Sequence, residues 1–241
     1  MFETRDEMGA NAANDVHNAI LALLDEKETI NMIFAAAPSQ NEVLASLAEK
    51  KDIPWNRINA FHMDEYIGLS PSAPQRFGTF LKNAIFDKVP FKSVNLINGS
   101  ADDIDDECER YTTLLKEYPV DIVCLGIGEN GHIAFNDPGV ADFNDTKFIK
   151  RAMLDSVCRN QQVNDGCFES LSDVPVAALT LTIPALTAAK YMFCVVPAVT
   201  KRNAVTATVN GEITDMCPAS ILRTHENAIL YCDRDSGADL L

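Results

Sequence analysis

The chain has 241 residues, 47% hydrophobic and 23% charged, which allows one sizeable core and does not fit a fibrous or disordered protein. Its 20 Lys and Arg against 35 Asp and Glu leave a formal charge of -15, which argues against a nucleic-acid partner, because phosphate backbones are held by basic clusters. No apolar run approaches the ~20 residues that cross a bilayer, and the start MFETRDEMGA lacks a signal-like layout, so the expectation is a cytoplasmic protein with no membrane partner.

The elements alternate in the manner of βα units. Val16, Ile20, Leu23 and Leu24 fall at helical spacing and predict an N-terminal amphipathic helix. The apolar run at 30–37 predicts a first strand, and Pro38-Ser39 starts a helix over 40–50. A second strand at 57–62 runs into MDEYIGLSPSAPQ, whose Gly, Pro and Ser positions predict a loop. There follow a helix near 76–87, a short strand at 94–97, an acidic helix at 102–117 and the fully apolar strand VDIVCLGIG, the candidate central strand.

Beyond the loop ENGHIAFNDPG come a strand near 148–153, a helix near 155–164, and the strands ALTLTI and YMFCVVP. A helix over 201–209 closed by Asn210-Gly211, a short helix ASILRTH and a last strand AILYCD end the pattern. The expected fold is α/β: one Rossmann-like three-layer domain over 1–241 with a mostly parallel central sheet. Seven cysteines without CxxC pairs, several inside apolar runs, read as reduced core residues.

In open parallel sheets, ligands bind beyond the carboxyl ends of the strands, where loops converge and helix N-termini present free N–H groups. Three loops leave strands in that direction, after Ala37, His62 and Gly128. APSQ offers the Ser39 hydroxyl and the N–H groups of Ser39 and Gln40 as an anion cradle. In the second loop Asp64 and Glu65 are adjacent, so the pleat lets only one face a cleft; Asp64 is the candidate carbon-acid base.

In the third loop Gly126, Gly128 and Gly131 let the backbone approach a ligand, and His132 follows with Asn136 and Asp137 close in sequence. An imidazole oriented by a carboxylate suits proton movement in sugar-ring opening. The literal GxGxxG from Gly126 to Gly131 follows a mid-chain strand, outside the context of a dinucleotide site, and no redox cofactor is expected. His17, His62, His132 and His225 show no ligand spacing with Cys or carboxylates, so no metal is expected. Arg159 and Lys201 are the candidate cations for a phosphate.

HMDEYIGL and GIGENGHIAFNDP, in that order, resemble the glucosamine-6-phosphate deaminase (isomerase) family, and the element order is similar over nearly the whole chain. The resemblance implies Asp64 as base on the substrate C2 proton and His132 as ring-opening acid–base. It places Asn130 and Asp137 at the family's acidic relay positions, with Asp137 standing where the family usually has Glu. Ser39 falls on the phosphate loop's hydroxyl position, although AAPSQ replaces a TGGTP-type sequence, and Gly131 belongs to the Gly-His motif. Lys201 is similar to the lysine of the family's SQKA-type helix.

The implied partner is a small sugar phosphate, converted to a ketose phosphate and ammonia without redox cofactor or metal, with association into a homo-oligomer left open. Two alternatives share this fold. A 6-phosphogluconolactonase continues its loop as GHTASLFP rather than GHIAFNDP, and a non-catalytic sugar-phosphate sensor in a regulator carries a DNA-binding helix pair upstream.

Overall fold

The computed structural model describes residues 1–154, 156–164 and 166–240. Among the described residues the strands are β1 (Ile30–Phe34), β2 (Ile58–His62), β3 (Asp64–Tyr66), β4 (Ser93–Asn95), β5 (Ile122–Leu125), β6 (Ile149–Met153), β7 (Ala177–Leu181), β8 (Tyr191–Val196) and β9 (Ala228–Cys232). The α-helices are α1 (Arg5–Glu26), α2 (Asn41–Ala48), α3 (Phe77–Leu81), α4 (Ile104–Glu117), α5 (Ser156–Asn164), α6 (Ile183–Thr187) and α7 (Arg202–Asn210). The start expected for α5, Asp155, lies outside the described residues.

Six strands form one sheet in the order β4-β2-β1-β5-β8-β9, and every pairing in it is parallel. Its inner strands β1, β2, β5 and β8 are buried almost throughout, as expected where helices cover both faces, whereas the edge strands β4 and β9 are partly exposed. Side chains alternate strictly: Met32 and Phe34 of β1, Cys124 of β5 and Phe193 of β8 join α1 and α2 in one core. Ile33, Val123, Leu125 and Cys194 face the other way, into a second core with Tyr111 and Leu115 of α4 and Val205 of α7. Two cores, one on each face of the sheet, separate the three layers expected from the βα alternation.

The remaining strands, β3-β7-β6, form a separate antiparallel sheet. The segment after His62 therefore does not stay a loop. Asp64–Tyr66 starts a new strand that pairs with β7, Asp64 opposite Thr180, and Leu181 N–H donates to Met63 O (2.8 Å). Glycine and proline further along end this strand without preventing it, because a chain that cannot continue β2 is free to pair elsewhere. A small aromatic core of Tyr66, Phe77, Phe135 and Phe168, with Cys158 of α5, lies beside this sheet. The helix near 76–87 is α3 followed by one π-helical turn, Lys82–Phe86.

Candidate active site

The carboxyl ends of β1, β2, β5 and β8 open onto a cleft enclosing about 880 Å³, part of it solvent at the mouth. The segments after all four strands line it, and α5 adds Gln161 and Gln162. Two non-glycine residues with left-handed φ, Ala134 (51°) and Ala198 (83°), both line this cleft, backbone strain of the kind that collects at functional sites.

Asp64 faces the cleft and is 8% exposed, whereas Glu65, one step along the pleat, points away and is fully buried. Burial, and then the neighbouring Glu65 charge, push the Asp64 carboxyl well above the usual carboxylate range. Glu65 is occupied structurally. Its carboxylate accepts from the N–H groups of Tyr66, Phe77 and Gly78, all at 3.0 Å, and lies 3.6 Å from Arg76 Nε. It thus caps the otherwise unsatisfied first turn of α3.

His132 stands on a loop that closes on itself, Gly128 N–H to His132 O (2.9 Å) and Gly131 N–H to Gly128 O (3.0 Å). Gly128 proves to serve the histidine: a Cβ added to it would sit 2.1–2.3 Å from three imidazole atoms, so the ring packs flat on the Gly128 backbone. At the ring edge, His132 Nδ1 lies 2.7 Å from Asn130 Oδ1 and 3.0 Å from Asp137 Oδ1, while Asn130 Nδ2 donates to the same Asp137 oxygen (2.8 Å). Two acceptors around Nδ1 favour the tautomer with the proton there, which leaves Nε2 as an acceptor. Burial pushes the Asp137 carboxyl up, but the His132 ring, the Asn130 amide and the Cys158 thiol outweigh it and hold it below the usual range.

Thr180 couples the two halves of the site. It pairs with Asp64 in the antiparallel sheet, and its hydroxyl accepts the buried N–H of Phe135 (3.0 Å), three residues beyond His132. Asn136, fully buried, donates to Leu181 O (2.8 Å) and ties the same loop to β7.

The Ser39 end of the cleft is lined by Pro38, Ser39, Gly126, Thr200, Lys201 and Arg5. A Cβ on Gly126 would lie 3.0 Å from Ser39 Oγ, so glycine here leaves the hydroxyl its space. Gln40 is fully buried beneath: its Nε2 donates to Leu125 O (3.1 Å) and Val195 O (3.3 Å), bracing the loop on the ends of β5 and β8, and it does not line the cleft. Gly131 is also set back, held at φ 85° against Cys217.

Arg159 is the clearest departure from the sequence expectation. Its guanidinium donates to Leu171 O (2.6 Å) and Val174 O (2.8 Å), and it does not line the cleft. The reason is helical phase: Cys158, Gln161 and Gln162 are the buried face of α5, and Arg159 lies one step of the helix away from it. The cleft's cations are Lys201, as expected, and Arg5, which carries no motif. Arg5 is the first residue of α1, behind the Thr4 cap, and is held by Glu42 Oε1 (3.0 Å), Glu42 Oε2 (3.0 Å) and Pro38 O (2.9 Å). Gln161 was equally invisible; its Oε1 accepts Glu129 N–H (3.1 Å) and ties α5 to the histidine loop.

One cleft is thus lined by a buried carboxyl, by the histidine of a histidine–amide–carboxylate relay and by two cationic side chains, the kinds of group that an acid–base enzyme site assembles. Residues 3–231 match the family described as glucosamine-6-phosphate isomerases/6-phosphogluconolactonase, and the chain belongs to that family of enzymes. It is 34% identical over 232 residues to a glucosamine-6-phosphate deaminase of Streptococcus suis (95% of this chain, 97% of the relative). It is also 34% identical over 209 residues to one of Listeria welshimeri (87% of each). The fold superposes on a monomeric glucosamine-6-phosphate deaminase with a TM-score of 0.87 at 28% identity, covering 98% of this chain and 97% of that one. A 6-phosphogluconolactonase of Thermotoga maritima shares the fold, with a TM-score of 0.77 at 22% identity over 97% of each chain. No helix among the described residues is long and apolar enough to cross a membrane.

Proposed function

We propose that the protein is an amino-sugar phosphate isomerase-deaminase that converts an aldohexosamine 6-phosphate, glucosamine 6-phosphate first among them, to the ketose 6-phosphate and ammonia. The observation that carries this reading is Asp64, a buried carboxyl that lines the same cleft as His132, whose Nδ1 is held by Asn130 and Asp137. His132 Nε2 takes the proton of the anomeric hydroxyl and returns it to the ring oxygen, opening the sugar. Asp64 then removes the C2 proton, giving an enolamine; reprotonation at C1 gives a C2 imine, and water releases ammonia and leaves the ketose. Ser39, Lys201 and Arg5 hold the phosphate, and Asn130 and Asp137 orient His132.

The test is to incubate the purified protein with glucosamine 6-phosphate and measure ammonia and fructose 6-phosphate, with galactosamine and mannosamine 6-phosphates and free glucosamine beside it. A lactonase needs no carbon-acid base, so hydrolysis of 6-phosphogluconolactone without any ammonia release from the amino sugars overturns the reading. Loss of activity on free glucosamine alone supports phosphate recognition at the Ser39 end.

Gly128→Ala reads out the histidine's seat. The added methyl displaces the imidazole on the order of 1 Å, and misplacement of that size costs roughly 10²-fold in rate. The expected result is a fall of about 10² in kcat with circular dichroism unchanged; an unaltered kcat shows that His132 does not act from this position.

A further inference from the structure

The histidine relay has one neighbour that the proposed reaction leaves unused. Cys158, on the buried face of α5 and 1% exposed, places its sulfur with one donor atom each of His132 and Asp137 so that all three lie within 4.8 Å of one another. Asp137 Oδ1 is taken up by His132 and Asn130, but its Oδ2 is buried with no nitrogen or oxygen donor among the described residues. The neighbour that acts on this carboxyl from the α5 side is the Cys158 thiol, a weak donor.

We propose that His132, Asp137 and Cys158 form a binding site for a soft divalent cation, zinc in particular, and that the ion silences the site by capturing the histidine relay. Nitrogen, carboxylate and thiolate donors together are the set zinc takes, and a thiolate selects against magnesium and calcium. Charge also balances: a divalent ion with one carboxylate and one thiolate is neutral, the condition for holding charges away from water. Zinc bonds of about 2.0–2.3 Å place donors roughly 3.3–3.8 Å apart, so the His132 and Asp137 donors, now 3.0 Å apart, open slightly while α5 brings its sulfur onto them. Asn130 Oδ1, 2.7 Å from His132 Nδ1, or a water from the cleft supplies the fourth position.

The proton balance explains the inhibition. Zinc takes the Nδ1 lone pair, the ring proton moves to Nε2, and the thiol proton leaves to solvent. His132 then presents an N–H to the cleft and no longer accepts the anomeric proton.

Binding is read without turnover, by titrating the metal-free protein with cobalt(II) and following the thiolate-to-cobalt charge-transfer absorption. One saturable site is expected, competed by zinc and reversed by chelator. Cys158→Ser should lose the band, and Cys167→Ser, which changes the cleft-lining thiol, should keep it. A band that survives in Cys158→Ser, or its absence in the parent protein, overturns the site. Should Cys158→Ser fail to fold, Asp137→Asn serves instead, with weaker cobalt binding by roughly 10–100-fold expected and unchanged binding counting against the site. The effect on turnover rests on the proposed function: zinc should abolish ammonia release, chelator should restore it, and Cys158→Ser should shift the inhibition midpoint at least about tenfold. Cobalt binding with no zinc inhibition of an active enzyme overturns the silencing, whereas an inactive protein that still binds cobalt faults the proposed reaction and not the site.

Discussion

Asp64→Asn is expected to lower turnover of glucosamine 6-phosphate by about 10²–10⁴-fold while leaving substrate affinity within a few-fold, since a positioned base contributes a factor of that size to the proton-transfer step. The amide keeps the volume and one acceptor but cannot take the C2 proton. In the parent protein burial, and secondly the Glu65 charge, raise the Asp64 carboxyl. The acid limb of kcat/KM should therefore lie above the pH near 4 at which an ordinary carboxylate titrates.

The same shift has a stability consequence of definite sign. A carboxyl whose folded pKa is raised contributes stability that is present below its unfolded pKa and is lost as pH rises through the folded value. Asn does not titrate, so Asp64→Asn should gain in melting temperature relative to the parent as pH increases over that window. A variant that is inactive and also less stable at neutral pH would indicate disrupted packing, and full activity would remove Asp64 from the mechanism.

Glu65→Ala is expected to be the most destabilising single substitution in the site, by about 3–5 kcal/mol in urea or thermal unfolding. The lost carboxylate serves three backbone N–H groups and faces Arg76, whose side chain is 15% exposed. Truncation leaves those donors buried without acceptors and the guanidinium without its partner, and buried unpaired donors alone cost about 1–3 kcal/mol each. Glu65→Gln retains one acceptor oxygen and should fall between. A Glu65→Ala protein as stable as the parent would show that water reaches the start of α3 and replaces the cap.

These two neighbours also show how far a linear pattern carries. The alternation of a strand says that only one of Asp64 and Glu65 can face the cleft, and the spacing of HMDEY after an apolar run says where the cleft is. Why Asp64 is held so firmly, and why Glu65 is buried, depends on β3 pairing with β7, more than 110 residues away, and on α3 bringing its N–H groups to the carboxylate. No local signal announces either contact.

The N-terminal and α5 residues make the same point more sharply. Arg5 reads as an ordinary charge in a capped first turn until α1 packs beside α2 and delivers it to Glu42 and Pro38. Arg159 carries the right charge in the right segment, but the helix turns Cys158, Gln161 and Gln162 inward instead, toward the relay, the cleft and the histidine loop. A charge visible in sequence has no direction until the helix carrying it is seated.

By itself the sequence determined the parallel α/β layering, because strands apolar on both faces must be covered on both sides, and it placed Asp64 and His132 just beyond strand ends, from where both come to line one cleft. Only the tertiary structure decided that Asp64 begins a strand of a second, antiparallel sheet, that Gly128 is the bed of the imidazole, and that Asp137 sits between His132 and Cys158. Periodicity reports which face of an element is buried, whereas the partner across that face is set by long-range packing.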